Sequence, residues 1–272
     1  MSTTIPASLV KELRDLTGAG MMECKRALVE ANGDVEEARR ILRERGLAAA
    51  GRRAGRSTKE GRVVARIDDG RGAIVAVGCE TEPVSSNEEF LAFVQHVLDV
   101  VEVEGPAAAE NLEDERMELV ARLGENIEIV GAARMEADEG ETLASYIHPP
   151  AQKIGVLVRA TGSPELARLV AMHISFANPR YLTRDEVPEE IVAAERAIYE
   201  KLPDVASKPE QVRPQIVEGM LSKRFFAETV LEDQSWIHDP GRTVGEALGE
   251  HGAEVREFVR YAVAESSGEP GE

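Results

Sequence analysis

The side chains best suited to covalent or metal chemistry are few in this chain and far apart. Five histidines, His96, His148, His173, His238 and His251, fall at no spacing that would let two of them hold one metal ion. Cys24 and Cys79 stand in separate segments without a CxxC pair or a Cys/His cluster. They read as small buried apolar residues of a reducing compartment. The paired acids Glu36-Glu37 and Glu88-Glu89 are sequence neighbours, and neighbours on a helix diverge instead of facing one substrate atom. No GxxxxGK[ST], dinucleotide glycine fingerprint or HExxH occurs. These residues point away from bond chemistry, and no cofactor and no metal is expected. Two other runs carry more information: Thr17-Gly18-Ala19-Gly20-Met21-Met22-Glu23-Cys24-Lys25-Arg26-Ala27-Leu28 and Gly78-Cys79-Glu80-Thr81-Glu82-Pro83-Val84-Ser85-Ser86-Asn87-Glu88-Glu89-Phe90.

The first run belongs to a helical pattern. Pro6 suits a first helical turn, and Leu9, Val10, Leu13 and Leu16 form an apolar stripe at helical spacing. Gly18 and Gly20 stop that helix. A second helix covers about Met21 to Ala31 and closes at Asn32-Gly33. Asp34 caps a third, with Glu37 completing a capping-box-like pair. Val35, Ala38, Ile41 and Leu42 face inward, and Gly46 is expected to end the bundle. Ala48 to Lys59, rich in Ala, Gly and Arg, reads as a linker.

After the linker the period changes from helical to alternating. Arg62–Ile67 and Ala73–Val77, joined by Asp68-Asp69-Gly70, predict a hairpin. Asn87 to Val103 predicts a helix with Phe90, Leu91, Val94, Val97, Leu98 and Val101 inward. Asp114 to Leu123 predicts another helix, and Ile127–Val130 a strand. A second set follows: strands at Thr142–His148 and Ile154–Arg159, and an amphipathic helix at Pro164–Phe176 carrying Leu166, Leu169, Val170 and His173. Val255–Ala264 is expected to close it as a strand. His173 on that apolar side reads as a core histidine. Between these parts, Ile191, Ala194 and Ile198, then Val212, Ile216 and Met220, outline two short antiparallel helices, with Lys208-Pro209 and Pro214 constraining the turn.

Charge narrows the partners. Residues 1–66 hold 14 Lys and Arg against 9 Asp and Glu, a net of +5, whereas the remainder holds 18 against 41, a net of -23. An acidic body repels phosphate backbones, so nucleic acid is not expected as a partner. The basic stretch from Arg39 to Arg62 has no interleaved aromatics for base stacking. It reads as a solvated helix face followed by a charged linker. No run approaches eighteen apolar residues, so no membrane association is expected. The start Met1-Ser2-Thr3-Thr4-Ile5-Pro6 lacks a charged n-region and an apolar h-region, so a cytoplasmic location is expected.

The two opening runs, in this order, resemble translation elongation factor Ts, the guanine-nucleotide exchange factor of elongation factor Tu. The likeness extends along the chain through Arg53-Ala54, Glu60-Gly61, Gly124-Glu125-Asn126-Ile127, Ala171-Met172-His173-Ile174, Asn178-Pro179, Tyr181-Leu182, Val187-Pro188, Ile216-Val217-Glu218-Gly219, Gln234 and Phe258-Val259-Arg260-Tyr261. The resemblance implies an α+β fold. A three-helix ubiquitin-associated-like module spans residues 1–47 and a linker 48–59. Two related sheet-plus-helix subdomains follow, at 60–140 and at 141–180 with 225–265. A helical hairpin arm is inserted at 181–224, and residues 266–272 form a disordered tail.

It also implies a protein that binds elongation factor Tu carrying GDP and promotes GDP release without touching the nucleotide itself. The family's Thr-Asp-Phe-Val loop, pressed beside the partner's phosphate and magnesium site, matches Thr81, Glu82, Pro83 and Val84. Here the acid is one methylene longer and proline stands where the ring is expected. Met21 and Met22 match the pair that meets the partner's GTPase domain, with Met21 expected to face the partner and Met22 to be buried or half-buried. Gly124 and His148 match positions near the partner's other domains. The arm is left with three readings: partner contact, self-association, or a solvated projection. A docking protein that binds without accelerating release is the rival to the exchange reading.

Overall fold

The computed structural model describes residues 5–263. Three helices open it: α1 (Ala7–Thr17), α2 (Met21–Glu30) and α3 (Val35–Gly51). They close on Val10, Leu13, Cys24, Ala27, Leu28, Ala38 and Ile41. Gly18 ends α1 in the left-handed region at φ 66°, its N–H donating to the Arg14 carbonyl. Asp34 caps α3 by accepting from the Glu37 N–H at 3.0 Å. The Glu37 carboxylate turns to Arg40 instead of returning to the cap, so only half of the expected box forms. Leu16, expected in the stripe, is 58% exposed, because one helical face here needs only Val10 and Leu13 to seal it.

Gly46 does not end the third helix, which runs on to Gly51 and takes in the first residues of the expected linker. A Cβ at Gly46 would stand 2.8 Å from that of Ala121 in the core. This glycine therefore serves close helix packing and not a helix stop, and tertiary contact overrides its weak propensity.

The core repeats one chain path twice. The first pass is β1 (Glu60–Asp68), β2 (Arg71–Cys79), a short α4 (Glu82–Ser85), α5 (Glu88–Glu104), a 3-10 stretch Pro106–Leu112, α6 (Glu113–Leu123) and β3 (Ile127–Glu136). The second is β4 (Glu141–Ile147), β5 (Ile154–Thr161), α7 (Pro164–Ala177), the arm, α12 (Val244–Glu250) and β6 (Val255–Ala262). Each pass makes a three-stranded antiparallel sheet with its second strand in the centre. The closing strand stops at Ala262, short of the expected Ala264, which lies outside the described residues, as does the tail 266–272.

The two sheets face each other, and helices cover both outer sides. Strand alternation makes this possible. Along β2, Ala73, Val75, Val77 and Cys79 point to the α5 layer, whereas Ile74 and Ala76 point to the second sheet. That inter-sheet layer also holds Val63, Met135, Leu143, Leu157 and Val263. Gly155 lets the sheets approach: a Cβ there would lie 2.5 Å from the Val63 side chain. On the outer side of the second sheet, Val156, Val158, Val170, Ala171, Ile174 and Trp236 form a separate core. Leu91 and Leu169, expected inward, sit at the helix edges and are exposed, the inward arc being filled by Phe90, Phe93, Val94 and by Ala167, Val170, Ala171.

The arm comprises α8 (Glu189–Glu200), α9 (Pro203–Ala206), α10 (Arg213–Met220), a π-helical turn Leu221–Phe226 and α11 (Ala227–Thr229). Pro214 lies in the first turn of α10, where a missing N–H costs nothing. The helical path thus runs past Arg224 to Thr229. Its core is Val187, Val205, Val217, Leu221, Phe226 and Val230. Ile198 and Val212, expected in the seam, are exposed instead. Tyr199 and Val217 take those places, so the packing is a small cluster and not a heptad seam.

Candidate functional site

The residues joining β2 to α5 make a small projecting platform. Thr81 is the extended N-cap residue of α4, and Pro83 lies in its first turn, where proline's fixed φ suits a helix start. The expected loop is thus one helical turn. Its inner side is anchored twice. Val84 packs against the α5 core, and the buried Ser85 hydroxyl donates to the Glu82 carbonyl at 2.8 Å. The outer side presents Glu82 and Pro83, both exposed.

A second anchor comes from the turn after α6. Gly124 ends that helix in the left-handed region at φ 77°, with open space around the position a Cβ would take. The next residue, Glu125, reaches across to the platform. Its carboxylate accepts from the Thr81 N–H at 3.0 Å, the Glu80 N–H at 3.2 Å and the Thr81 hydroxyl at 2.5 Å. The grip is reciprocal, because Glu80 accepts from the Asn126 N–H at 2.7 Å. Arg56 lies 3.6 Å from Glu80 and offers its carbonyl to the Asn126 amide at 2.8 Å. Two like-charged acids side by side are tolerable here because each accepts backbone N–H donors and one faces a guanidinium.

Cys79 sits beneath this clamp. Burial, with the Glu125 charge as the next contribution, pushes its thiol up to about 12. It therefore stays protonated and donates to the Thr81 carbonyl at 3.4 Å. Both cysteines are buried and free.

His148 lies on the neighbouring turn that joins β4 to β5. It is exposed, its ring Nδ1 is 3.2 Å from the Tyr146 hydroxyl, and its carbonyl accepts from the Gln152 N–H. Arg62 joins that turn to the platform, donating to the Ala151 carbonyl and to the Ser86 hydroxyl at 3.2 Å. Thr81, Glu82, Pro83, Val84 and Gly124 are therefore one assembly, and His148 is tied to it through Arg62.

Met21 and Met22 lie apart, at the start of α2 in the helical module. Met21 is 46% exposed, as expected, but Met22 is 62% exposed and not buried. The inward side of α2 belongs to Cys24, Ala27 and Leu28, which leaves both methionines outside.

His173, by contrast, is a fully buried core residue. Its Nε2 is 2.9 Å from Gln234 Oε1, and its Nδ1 accepts from the Ile237 N–H at 3.3 Å. Gln234 donates in turn to the Ala177 and Glu228 carbonyls. Burial holds the imidazole below its ordinary value, so it is a neutral structural link between α7 and the arm. Among the described residues no group of three or more His, Cys, Asp or Glu is placed to hold a metal ion, and no helix is long and apolar enough to cross a membrane. Glu125, Glu80, Asn126, Arg56 and Arg62 carry no signal by residue type or spacing, since each contact joins segments distant in sequence.

With this geometry in place, the chain can be set beside known proteins. Residues 80–265 match the family model described as "Elongation factor TS". The chain is 41% identical over 265 residues to elongation factor Ts of Vibrio cholerae, covering 96% of this chain and 92% of that protein. It is 42% identical over 275 residues to elongation factor Ts of Thioalkalivibrio sulfidiphilus, covering 96% and 93%. Against elongation factor Ts of Yersinia pestis it is 42% identical over 268 residues, covering 96% and 92%.

Proposed function

The chain belongs to the elongation factor Ts family and is a translation elongation factor, and we propose that it promotes GDP release from elongation factor Tu by disturbing the partner's phosphate and magnesium site, allowing GTP to reload. The observation that carries this reading is the clamped platform. Glu82 and Pro83 are outermost on a turn whose inner side is pinned by Val84, Ser85 and Glu125. A preformed projection loses little conformational freedom on docking, so contact energy goes into changing the partner.

The chemistry is electrostatic and steric, with no bond made or broken. Glu82 brings a carboxylate towards bound Mg²⁺ and phosphates. Pro83 offers a rigid backbone and a compact apolar ring. Either lowers nucleotide affinity only by favouring the nucleotide-poor partner over the loaded one. Moving such an equilibrium from 1:99 to 99:1 takes about 5.5 kcal/mol, whereas burying one Phe-sized side chain gives roughly 1.5–3 kcal/mol. Most of the coupling therefore comes from the wider interface, and proline in place of an aromatic ring alters exchange without abolishing it. Met21 and Met22 on the helical module, with Gly124 and His148 on the core, are the proposed further contacts.

Stopped-flow release of a fluorescent GDP analogue from elongation factor Tu tests this directly. Acceleration that saturates with the concentration of this chain is the expected result. Binding without acceleration would make the chain a docking protein, and no binding would overturn the partner. The chain alone is expected to show no guanine-specific binding of GDP or GTP.

A further inference from the structure

A cleft of about 620 Å³ separates the helical module from α6 of the core, and its walls are unusual for this molecule. Seven arginines line it against three glutamates, in a chain whose formal net charge is -18. Four of those arginines are already committed. Arg43 pairs with Glu118 at 2.7 Å and Arg122 with Glu89 at 2.7 Å, while Arg45 meets Glu30 and Arg40 meets Glu37 and Glu44. Arg39 comes only within 3.8 Å of Glu36. Arg26 and Arg53 have no acidic partner among the described residues, and Arg53 is half-buried. Arg26 is exposed, so both cations are open to an incoming anion without an ion pair having to be broken first.

We propose that this cleft binds a small polyphosphate anion through Arg26, Arg39 and Arg53. Planar guanidinium forks match phosphate oxygens two at a time. A cleft of this volume is far larger than one phosphate and falls in the range of small-ligand sites. The N-terminus of α2, a ten-residue helix with Gly20 as its N-cap and no side-chain cap, also borders the cleft, its positive end offset by Glu23 in the first turn. No aromatic side chain lines it, so nothing is present to stack a base. The recognised chemistry is the phosphate chain. Occupancy would draw together Arg26 of α2, Arg39 of α3 and Arg53, which follows α3, on the side of the cleft that faces α6.

Isothermal titration of the full chain with inorganic triphosphate tests the proposal. One saturable site is expected, weakening as salt is raised. Arg26→Ala and Arg53→Ala should each weaken binding about tenfold, the usual scale for a hydrogen bond to a charged group. Neither residue is in an ion pair, so both variants should keep the parent melting temperature, and Arg14→Ala, outside the cleft, should bind as the parent does. Absence of saturable binding would overturn the proposal, as would equal losses in all three variants. GDP or GTP binding much more tightly than triphosphate would also overturn it, because it would require a base site. So would binding of a single-stranded oligonucleotide without binding of triphosphate.

Discussion

Each half of the core climbs a central strand and passes into the helix that covers its sheet, but the two halves make that step differently. In the second half only Gly162 and Ser163 separate β5 from α7, and the Ser163 hydroxyl caps the helix by accepting from the Leu166 N–H at 3.2 Å. In the first half residues 80–87 separate β2 from α5. There Asn87 performs the same capping, accepting from the Glu89 and Phe90 N–H groups at 2.8 and 3.4 Å. Starting the helix thus requires the cap and little more. The remaining residues of the longer connection are not needed to start the helix, yet they are held by Glu125 and by their own Ser85 and Val84. Structure that is costly to order and not required to start the helix is where function is expected to reside.

The largest effect should follow from cutting the clamp. Glu125→Ala removes the acceptor for two N–H groups and one hydroxyl and leaves the platform free to fray. Exchange should slow by about tenfold or more, while affinity for elongation factor Tu changes little. Stopped-flow release and equilibrium binding measured on the same variant separate the two. Glu125→Gln, which keeps one acceptor oxygen, should fall between.

A smaller effect is expected at the platform's tip. Pro83→Phe adds an apolar ring where the chain has an exposed proline, and release should accelerate by about tenfold, which corresponds to the low end of the roughly 1.5–3 kcal/mol such a ring can gain on burial. Unchanged release would show that the position is no wedge.

The buried interior of the second half should leave exchange untouched. His173→Gln breaks a buried link to Gln234 and should cost about 1–3 kcal/mol of stability, with the release rate of the folded fraction unaltered. The parent should also lose stability as the pH falls. Burial lowers the folded pKa of His173, so the unfolded chain binds its proton first. Stability from this group is complete above about pH 6.5 and declines as the pH drops towards the depressed folded value. Denaturant melts at about pH 7.5 and about pH 5.5 should show a shallower decline in His173→Gln than in the parent.

Much of this architecture was readable from local pattern. The period change near residue 60, the Asp68-Asp69-Gly70 hairpin turn, the cap at Asn87 and the buried His173 all rest on neighbours in sequence, where propensity and periodicity operate. The misjudged positions depend on distant partners. Gly46 lies against Ala121, so a residue that locally signals a stop continues a helix. Met22 is exposed because Cys24, Ala27 and Leu28 already fill the inward arc. Thr81–Val84 and Gly124 are proposed as site residues through family likeness, but the clamp that unites them is not legible that way. Glu125 and Thr81 are 44 positions apart, and nothing in either residue type announces the other.

The most direct measurement replaces residues 80–87 with a Gly-Ser connection like that of the second half and follows fluorescent GDP release from elongation factor Tu beside the parent chain. The variant should fold, bind the partner and accelerate release at least about tenfold less than the parent, within the range of typical coupling energies. Release as fast as with the parent would contradict the assignment of exchange to this platform.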